Sequence, residues 1–413
     1  MSPEPITLLH NKRVILGVTG SIAVYKAVDL ASKLTQAGAL VDVIMTQAAQ
    51  QFVTPLTFQS VTGRPVYTDL WRAEGSSALP THIAHVGLGE GTDVLAIAPA
   101  TANTLAKLAH GLADDLLSVT ALAARCPLLI APAMDGGMYQ HPATQTNIET
   151  LRARGAYLIE PDEGRFASGL VGKGRLPETP ALLGHIRLAM AQTGALAGKR
   201  VVITAGGTRE AIDPVRYISN RSSGRQGYAL AQAALDAGAA VTLITTVRDL
   251  PIPLGARVVA VGSAQELHDA VLEACRDADA LIMAAAVADF RPKTVAAQKI
   301  KKREGSDDAP TLELTRTADI LLSVKAARAQ SGFPRLVVGF AAESQDLLTN
   351  ARAKLERKGL DLLVANDISA TDAGFEVGTN RVVILDAAGG ATPLELMSKT
   401  RVAEAVIARV AAE

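Results

Sequence analysis

The chain has 413 residues, 48% of them hydrophobic but only 3% aromatic, and its 41 basic side chains are matched by 41 acidic ones. That length exceeds one ordinary core and predicts two domains, packed mainly from Ala, Val, Leu and Ile as parallel α/β proteins are. Zero net charge offers no field to draw a polyanion, and so few aromatics leave little to stack bases on, so no nucleic-acid partner is expected.

In chain order, a β-branched strand at residues 14–17 runs into a glycine turn at Gly17 and Gly20. A helix with the apolar stripe Ala27, Val28, Ala31 and Leu34 follows, then Gly38 and a second strand at 40–45. Strand, turn, helix and strand make a parallel crossover unit, whose helix N-terminus offers free N–H groups and partial positive charge to a phosphate. Strands at 94–98 and 128–131 alternate with helical stretches such as ATANTLAKLAHGLADDLLSVTALAA, the pattern of a doubly wound sheet. The glycine-rich segment 162–178 lacks apolar periodicity and is expected to be a covering loop.

One helix and a linker over 179–199 place the boundary near Ala191, giving domains 1–190 and 191–413. The second domain repeats the plan, with strands at 201–204, 241–245, 280–284, 337–340, 362–365 and 382–385. Its first helix carries the stripe Leu230, Ala231, Ala234 and Leu235 before Gly238, and the polar run QKIKKREGSDDAP is expected to be a mobile loop. The fold class is therefore α/β, two doubly wound Rossmann-like domains with mainly parallel sheets.

The two cysteines, Cys126 and Cys275, stand far apart in apolar surroundings and form neither a disulfide framework nor a metal cluster. VILGVTG is too short and glycine-rich for a signal-peptide core, and no apolar run reaches membrane-spanning length, so a cytoplasmic protein without a membrane partner is expected. Neither glycine turn completes G-x-G-x-x-G, and no acidic residue closes VDVIMTQ, which argues against an NAD(P)-dependent oxidoreductase.

The blocks GVTGSIAVYK, APATANTLAKLAHGLADDLL, PAMDGGMY and ASGLVGKGRL, in that order, resemble the flavin-dependent cysteine decarboxylases, the family that includes phosphopantothenoylcysteine decarboxylase. The resemblance implies that Gly20, Ser21, Ile22, Thr46, Thr101, Ala102, Asn103 and Met134 hold FMN. It also implies a catalytic histidine eight residues before the Asp that opens the third strand, which in HVGLGEGTD selects His85 over His82. A histidine titrates near neutrality and can take a thiol proton as a cysteine moiety is oxidised. The resulting thioaldehyde is an electron sink into which carbon dioxide departs. From its residue type alone His85 reads as a solvated loop histidine.

Two positions depart from that pattern. Where the family usually has Asn to hold the substrate carboxylate, this chain has Asp135 in PAMDGGM. At ~4 Å from a carboxylate an ionised Asp costs on the order of 4 kcal/mol at an effective dielectric of 20, so it must be protonated, displaced or paired with a cation. Where many members have a cysteine in the covering loop as the acid of the last reduction, this chain has Ser168, a far weaker acid.

In the second half, TAGGTREAIDPVRYISNRSSGRQG, MAAAVADFRP, QKIKK, VGFAAES and KLERKGLDLLVAND resemble phosphopantothenate–cysteine ligase, which in bacteria is commonly fused behind the decarboxylase. Such a ligase activates a carboxylate as an acyl-nucleotide that the cysteine amine attacks, so Lys, Asn and backbone N–H groups should stabilise the developing charge, with Mg2+ on the triphosphate. The resemblance implies that Asn220 holds the activated acyl group and Lys299 stabilises amide formation. It places the nucleotide, typically CTP, on Ala284, Ala285, Asp289, Lys299, Thr317, Ala318, Asp319, Ile320, Phe340, Lys354 and Lys358. Residue spacing alone does not separate CTP from ATP and assigns no metal ligand. Without the resemblance KIKKR reads as a solvated charged loop and SNRSSGRQG as a polar turn with a helix cap.

Together the halves imply consecutive steps of coenzyme A synthesis from 4′-phosphopantothenate, cysteine and CTP, in a homo-oligomer of decarboxylase trimers and ligase dimers, up to a dodecamer. The alternatives are a ligase whose first domain binds flavin without decarboxylating, and a non-catalytic flavin-binding module.

Overall fold

The computed structural model describes residues 4–71, 83–301, 311–343, 347–367 and 378–413; His82 and the last lysine of QKIKK lie outside them. Two compact units, Met1–Gln192 and Thr193–Glu413, divide the chain.

The first unit opens with β1 (Arg13–Val18), α1 (Val24–Gln36) and β2 (Leu40–Met45), then α2 (Pro55–Thr62), β3 (Val66–Tyr67) and α3 (Ala84–Gly89). Next come β4 (Val94–Ala100), α4 (Ala102–His110), α5 (Leu116–Ala123), β5 (Leu128–Pro132), α6 (Gly136–Gln140), α7 (Pro142–Ala153) and β6 (Tyr157–Leu158). All six strands are parallel in the order β3-β2-β1-β4-β5-β6. Successive side chains of a strand point to opposite faces. Leu16, Val18, Val43 and Ala96 accordingly join one buried layer with α1, while Ile15, Ile44, Leu95 and Ile97 join the other with α4 and α5. The chain leaves α1 through Gly38 at φ +93°, a conformation a side chain would strain.

Two details differ from the sequence expectation. The long helical stretch is two helices, because Gly111 takes a left-handed φ of +70° and Asp115 then starts α5 with a capping box. The expected loop at 162–178 holds an antiparallel hairpin, β7 (Asp162–Arg165) and β8 (Val171–Arg175). Backbone bonds carry that pairing and its side chains are mostly exposed, so no period-2 apolar signal marks it. Helix α8 (Thr179–Ala191) closes the unit.

The second unit runs β9 (Arg200–Ala205), the hairpin β10 (Arg209–Ala211) and β11 (Tyr217–Ser219), α9 (Arg225–Asp236), β12 (Ala240–Thr245), β13 (Arg257–Ala260), α10 (Ala264–Ala274) and β14 (Ala280–Met283). There follow β15 (Phe290–Pro292) paired to β16 (Leu314–Arg316), α11 (Ile320–Ser331), β17 (Leu336–Glu343), α12 (Leu347–Lys358), β18 (Leu362–Asp367), β19 (Thr379–Asp386), β20 (Ala391–Ser398) and α13 (Lys399–Ala412). Its main sheet has the order β13-β12-β9-β14-β17-β18-β19-β20. The first six are parallel and the last two antiparallel. The α/β class with mainly parallel sheets holds in both units. Among the described residues no helix is long and apolar enough to cross a membrane.

Candidate active sites

In the first unit the winding direction reverses between β1 and β4, and open α/β sheets bind ligands at such a switch point, beyond the carboxyl ends of the strands. Gly20 and Ser21 follow β1, Thr46 follows β2, and Thr101, Ala102 and Asn103 follow or begin the element after β4. Thr19, which sequence reasoning missed, ties these ends together. Its Oγ1 donates to the Pro99 carbonyl at 2.7 Å and accepts from the Thr101 N–H at 3.0 Å. Thr46 N–H donates to the Val18 carbonyl, and Thr101 Oγ1 accepts from Thr104 N–H as the cap of α4. A Cβ on Gly20 would stand 2.5 Å from Ala48 Cβ, so glycine is needed where these turns meet. Helix α1 follows Ala23 with no side-chain cap, and the turn before it is closed on Ser21, whose Oγ accepts from the Ala23 N–H at 3.3 Å and whose carbonyl accepts from the Val24 N–H at 3.0 Å.

Beside them lies a cavity of about 380 Å³ that brings Ser21, Ile22, Met134, Asp135 and Ser168 together. Ser168 Oγ donates to Asp135 Oδ2 at 2.8 Å, and Asp135 Oδ1 accepts from the Gly137 N–H at 3.1 Å, capping α6. The two departures noted in the sequence are thus direct partners. Gly174 lets the hairpin close on this floor: a Cβ there would lie 2.3 Å from the Met134 carbonyl oxygen. His85 is half-buried on α3, which packs on α5, and is not among the residues lining this cavity.

In the second unit, Ala285, Asp289, Thr317, Ala318, Asp319, Ile320, Phe340, Lys354 and Lys358 line one cavity of about 640 Å³. Ala284 and Asn220 line an adjoining cavity of about 320 Å³ that shares Asp289, Phe340 and Lys354 with the first. The segment after β14 is held by threonines at sheet ends. Ala285 N–H donates to Thr204 Oγ1 at 3.0 Å, Ala288 N–H to Thr208 Oγ1 at 2.9 Å, and Thr317 Oγ1 to the Ala288 carbonyl at 2.6 Å. Asn220 Nδ2 donates to the Val287 carbonyl at 2.9 Å. Asp319 caps α11 and pairs with the Lys358 ammonium. Burial pushes the Lys358 pKa down, with the charge of Asp289 opposing.

Lys299 is exposed and lines neither cavity. Its neighbour Ile300 is clasped at both backbone groups: its N–H donates to Asp213 Oδ2 at 3.1 Å and its carbonyl accepts from Arg216 Nη2 at 2.8 Å. The Arg216 guanidinium, with the N–H groups of Val215, Ile300 and Arg216, holds the Asp213 carboxyl far below the usual carboxylate range. Asp213 sits in the turn of the β10–β11 hairpin, and Asn220 follows that hairpin directly. Sequence reasoning missed Asp213 because an Asp before Pro reads as a plain turn former. Among the described residues no group of three or more His, Cys, Asp or Glu is placed to hold a metal.

Residues 4–190 match the flavoprotein family, and residues 196–413 match the C-terminal domain family of the DNA/pantothenate metabolism flavoproteins. The coenzyme A biosynthesis bifunctional protein CoaBC of Bacillus subtilis (strain 168) is 48% identical over 408 residues, 98% of each chain. That of Vibrio cholerae is 44% identical over 399 residues, 97% of this chain and 98% of its own. Among solved structures, the C-terminal domain of a CoaBC protein is 36% identical over 53% of this chain and 97% of its own, with a TM-score of 0.45. The FMN-dependent cysteine decarboxylase SpaF is 35% identical over 43% of this chain and 99% of its own, with a TM-score of 0.37. The two units thus form a two-domain flavoprotein enzyme of the α/β class. The chain belongs to the family of bifunctional coenzyme A biosynthesis proteins, in which phosphopantothenoylcysteine decarboxylase is joined to phosphopantothenate–cysteine ligase.

Proposed function

We propose that the second unit joins cysteine to 4′-phosphopantothenate at the expense of CTP, through an acyl-cytidylate with Mg2+ on the triphosphate. The first unit, with FMN, then oxidatively decarboxylates phosphopantothenoylcysteine to 4′-phosphopantetheine. What carries the reading is the convergence of Asp289, Thr317 to Ile320, Phe340, Lys354 and Lys358 on one cavity, from segments spread over 70 positions of sequence. Lys354 and Lys358, the latter paired with Asp319, offer ammonium groups to a triphosphate, and Asn220, which lines the adjoining cavity, orients the acyl group. Lys299, on its clasped segment, stabilises the charge of the amide-forming step.

The residues of the first unit fit a flavin. Ser21, Thr46, Thr101 and Asn103, at the ends of β1, β2 and β4, are hydroxyl and amide groups suited to a phosphate and ribityl chain. Ile22, 63% exposed, and Met134 offer apolar surface to a ring. FMN, when bound, would supply a reversible two-electron store whose electrons return to the product, so that the net reaction releases only carbon dioxide and leaves a thiol. His85 takes the thiol proton, and Asp135 with Ser168 orients the substrate. Because His85 does not line the Asp135 cavity, the trimer implied by the resemblance has a role here: His85 of one copy serves the cavity of the next.

The test is a coupled assay on purified protein with 4′-phosphopantothenate, cysteine, Mg2+ and either CTP or ATP. Phosphopantetheine, CMP and pyrophosphate are expected with CTP. Accumulation of phosphopantothenoylcysteine alone favours the ligase-only reading, and release of no pyrophosphate from either nucleotide overturns the proposal.

A further inference from the structure

The cavity of about 380 Å³ in the first unit is lined by three cationic side chains, Lys26, Arg165 and Arg175, against one carboxylate, Asp135. Both oxygens of Asp135 have donors, the Ser168 hydroxyl and the Gly137 N–H, and neither donor is a cation. An anion that enters this cavity therefore meets a carboxylate, and only a cation not already committed elsewhere can offset the repulsion.

Two of the three cations are committed. Lys26, 6% exposed on α1, donates from Nζ to the Leu176 carbonyl and to Glu178 Oε1, each at 2.7 Å. Arg175 lies 3.9 Å from the same Glu178 carboxylate, and its guanidinium is folded against Gly164, where a Cβ would stand 2.6 Å from Nη1. Both fasten the leg of the chain that leaves β8. Arg165 ends β7 on the other leg of the hairpin, three residues before Ser168, and is exposed. Among the described residues it forms no ion pair and its side chain donates no hydrogen bond. Its guanidinium turns over the hairpin tip, with Nη2 4.0 Å from the place a Cβ on Gly169 would take, next to Ser168.

We propose that Arg165 receives the carboxylate of the substrate's cysteine moiety and holds it beside the Asp135–Ser168 pair. The proposal rests on the decarboxylase reading and names the residue that admits an anionic substrate to a cavity already holding Asp135. The group is an anion when it binds and neutral when it leaves as carbon dioxide, so a cation on it favours the bound substrate over the departing state. Arg165 thus sets affinity rather than the rate of departure, and it separates substrate from product, which keeps the thiol and the phosphate but has no carboxylate. The substrate's phosphate is a second anion that a guanidinium takes, and the ligands of the test distinguish the two.

Binding to the full-length, flavin-loaded enzyme is measured by calorimetry with the S-methyl ethers of phosphopantothenoylcysteine, of 4′-phosphopantetheine, which lacks the carboxylate, and of pantothenoylcysteine, which lacks the phosphate. The ethers have no thiol proton to lose and are not turned over, and binding by the second unit is common to all variants and cancels in the comparison. Arg165→Gln should weaken the two carboxylate-bearing ligands about tenfold or more, the equivalent of one charge-assisted contact, and leave the 4′-phosphopantetheine ether within about twofold. Arg165→Lys should recover part of the loss and Arg165→Glu should deepen it. In steady-state decarboxylation of phosphopantothenoylcysteine, Arg165→Gln should raise KM by a similar factor with kcat within about twofold. Weakening confined to the two phosphate-bearing ligands assigns Arg165 to the phosphate and overturns the proposal. Equal weakening of all three, which makes Arg165 a brace for the hairpin, or no weakening of any, overturns it too. Wild-type enzyme that releases no carbon dioxide from phosphopantothenoylcysteine instead sinks the decarboxylase reading, while the calorimetric contrast between carboxylate and phosphate still decides what Arg165 binds.

Discussion

Ser168 Oγ donates to Asp135 Oδ2 at 2.8 Å, so the tip of the β7–β8 hairpin is fastened to the N-terminus of α6 by a hydroxyl–carboxylate bond. With Gly137 N–H on Oδ1, both carboxylate oxygens have donors. Neither a hydroxyl nor a backbone N–H is the cation that the sequence reading asks for at this position. Asp135→Asn keeps the shape and removes the charge that a substrate carboxylate would meet. The KM for phosphopantothenoylcysteine is expected to fall about tenfold, within the Coulomb cost of two close anions, with ligation unchanged. A KM that does not move places the substrate carboxylate elsewhere.

His85 and Asp135 should complement each other between chains. His85→Asn alone is expected to lower decarboxylation by roughly 10²- to 10⁴-fold, the usual reach of a general base, and Asp135→Ala to be impaired in its own right. Mixing the two variants after dissociation and reassembly should recover a fraction of wild-type activity, since some sites then pair an intact His85 with an intact Asp135. No recovery in verified mixed oligomers would show that both residues act from one chain.

Asp213 should act on ligation through the Lys299 segment. Asp213→Asn weakens the clasp on Ile300 and is expected to lower the ligation kcat about tenfold, with little change in the KM for CTP. In a Lys299→Gln background the same substitution should have almost no further effect. Additive losses would mean that Asp213 supports the fold only.

Gly227 in the first turn of α9 lies against β9: a Cβ there would stand 2.5 Å from Ala205 Cβ and 2.8 Å from the Thr204 carbonyl oxygen. Gly227→Ala should therefore destabilise the second unit by about 1–3 kcal/mol, read as a lower midpoint in denaturant. A wild-type midpoint would mean that α9 shifts outward at no cost.

Burial pushes the Cys275 thiol up to about 12 and raises the Cys126 thiol as well. At pH 8 roughly one Cys275 in ten thousand is thiolate. A disulfide reagent should leave Cys275 unmodified in the native enzyme and label both cysteines in denaturant. Rapid native labelling of Cys275 would show that the pocket around it opens.

How much could be read before any coordinates is clearest at α1 and α9. Of their stripes, Ala27, Ala31 and Leu34 and then Leu230, Ala231, Ala234 and Leu235 are buried against their sheets, with Val28 half-buried, because a 3.6-residue period between strands leaves a helix one way to hide them. The nucleotide residues were legible as ordered blocks, and nine of them line one cavity. The β7–β8 hairpin was not legible, since its exposed, glycine-rich strands carry no apolar alternation.

The amino-acid order by itself determined the two α/β halves, the glycine turns at the strand ends and the family, because periodicity and local turn chemistry act over a few neighbouring residues. Only the tertiary structure decided which distant groups meet. Asp135 finds Ser168 across 33 positions, Asp213 holds Ile300 across 87, and Asn366 and Lys399 share a cavity with the start of α9. Those encounters depend on sheet order and strand ends in three dimensions, and a residue's own neighbours in sequence carry no trace of them.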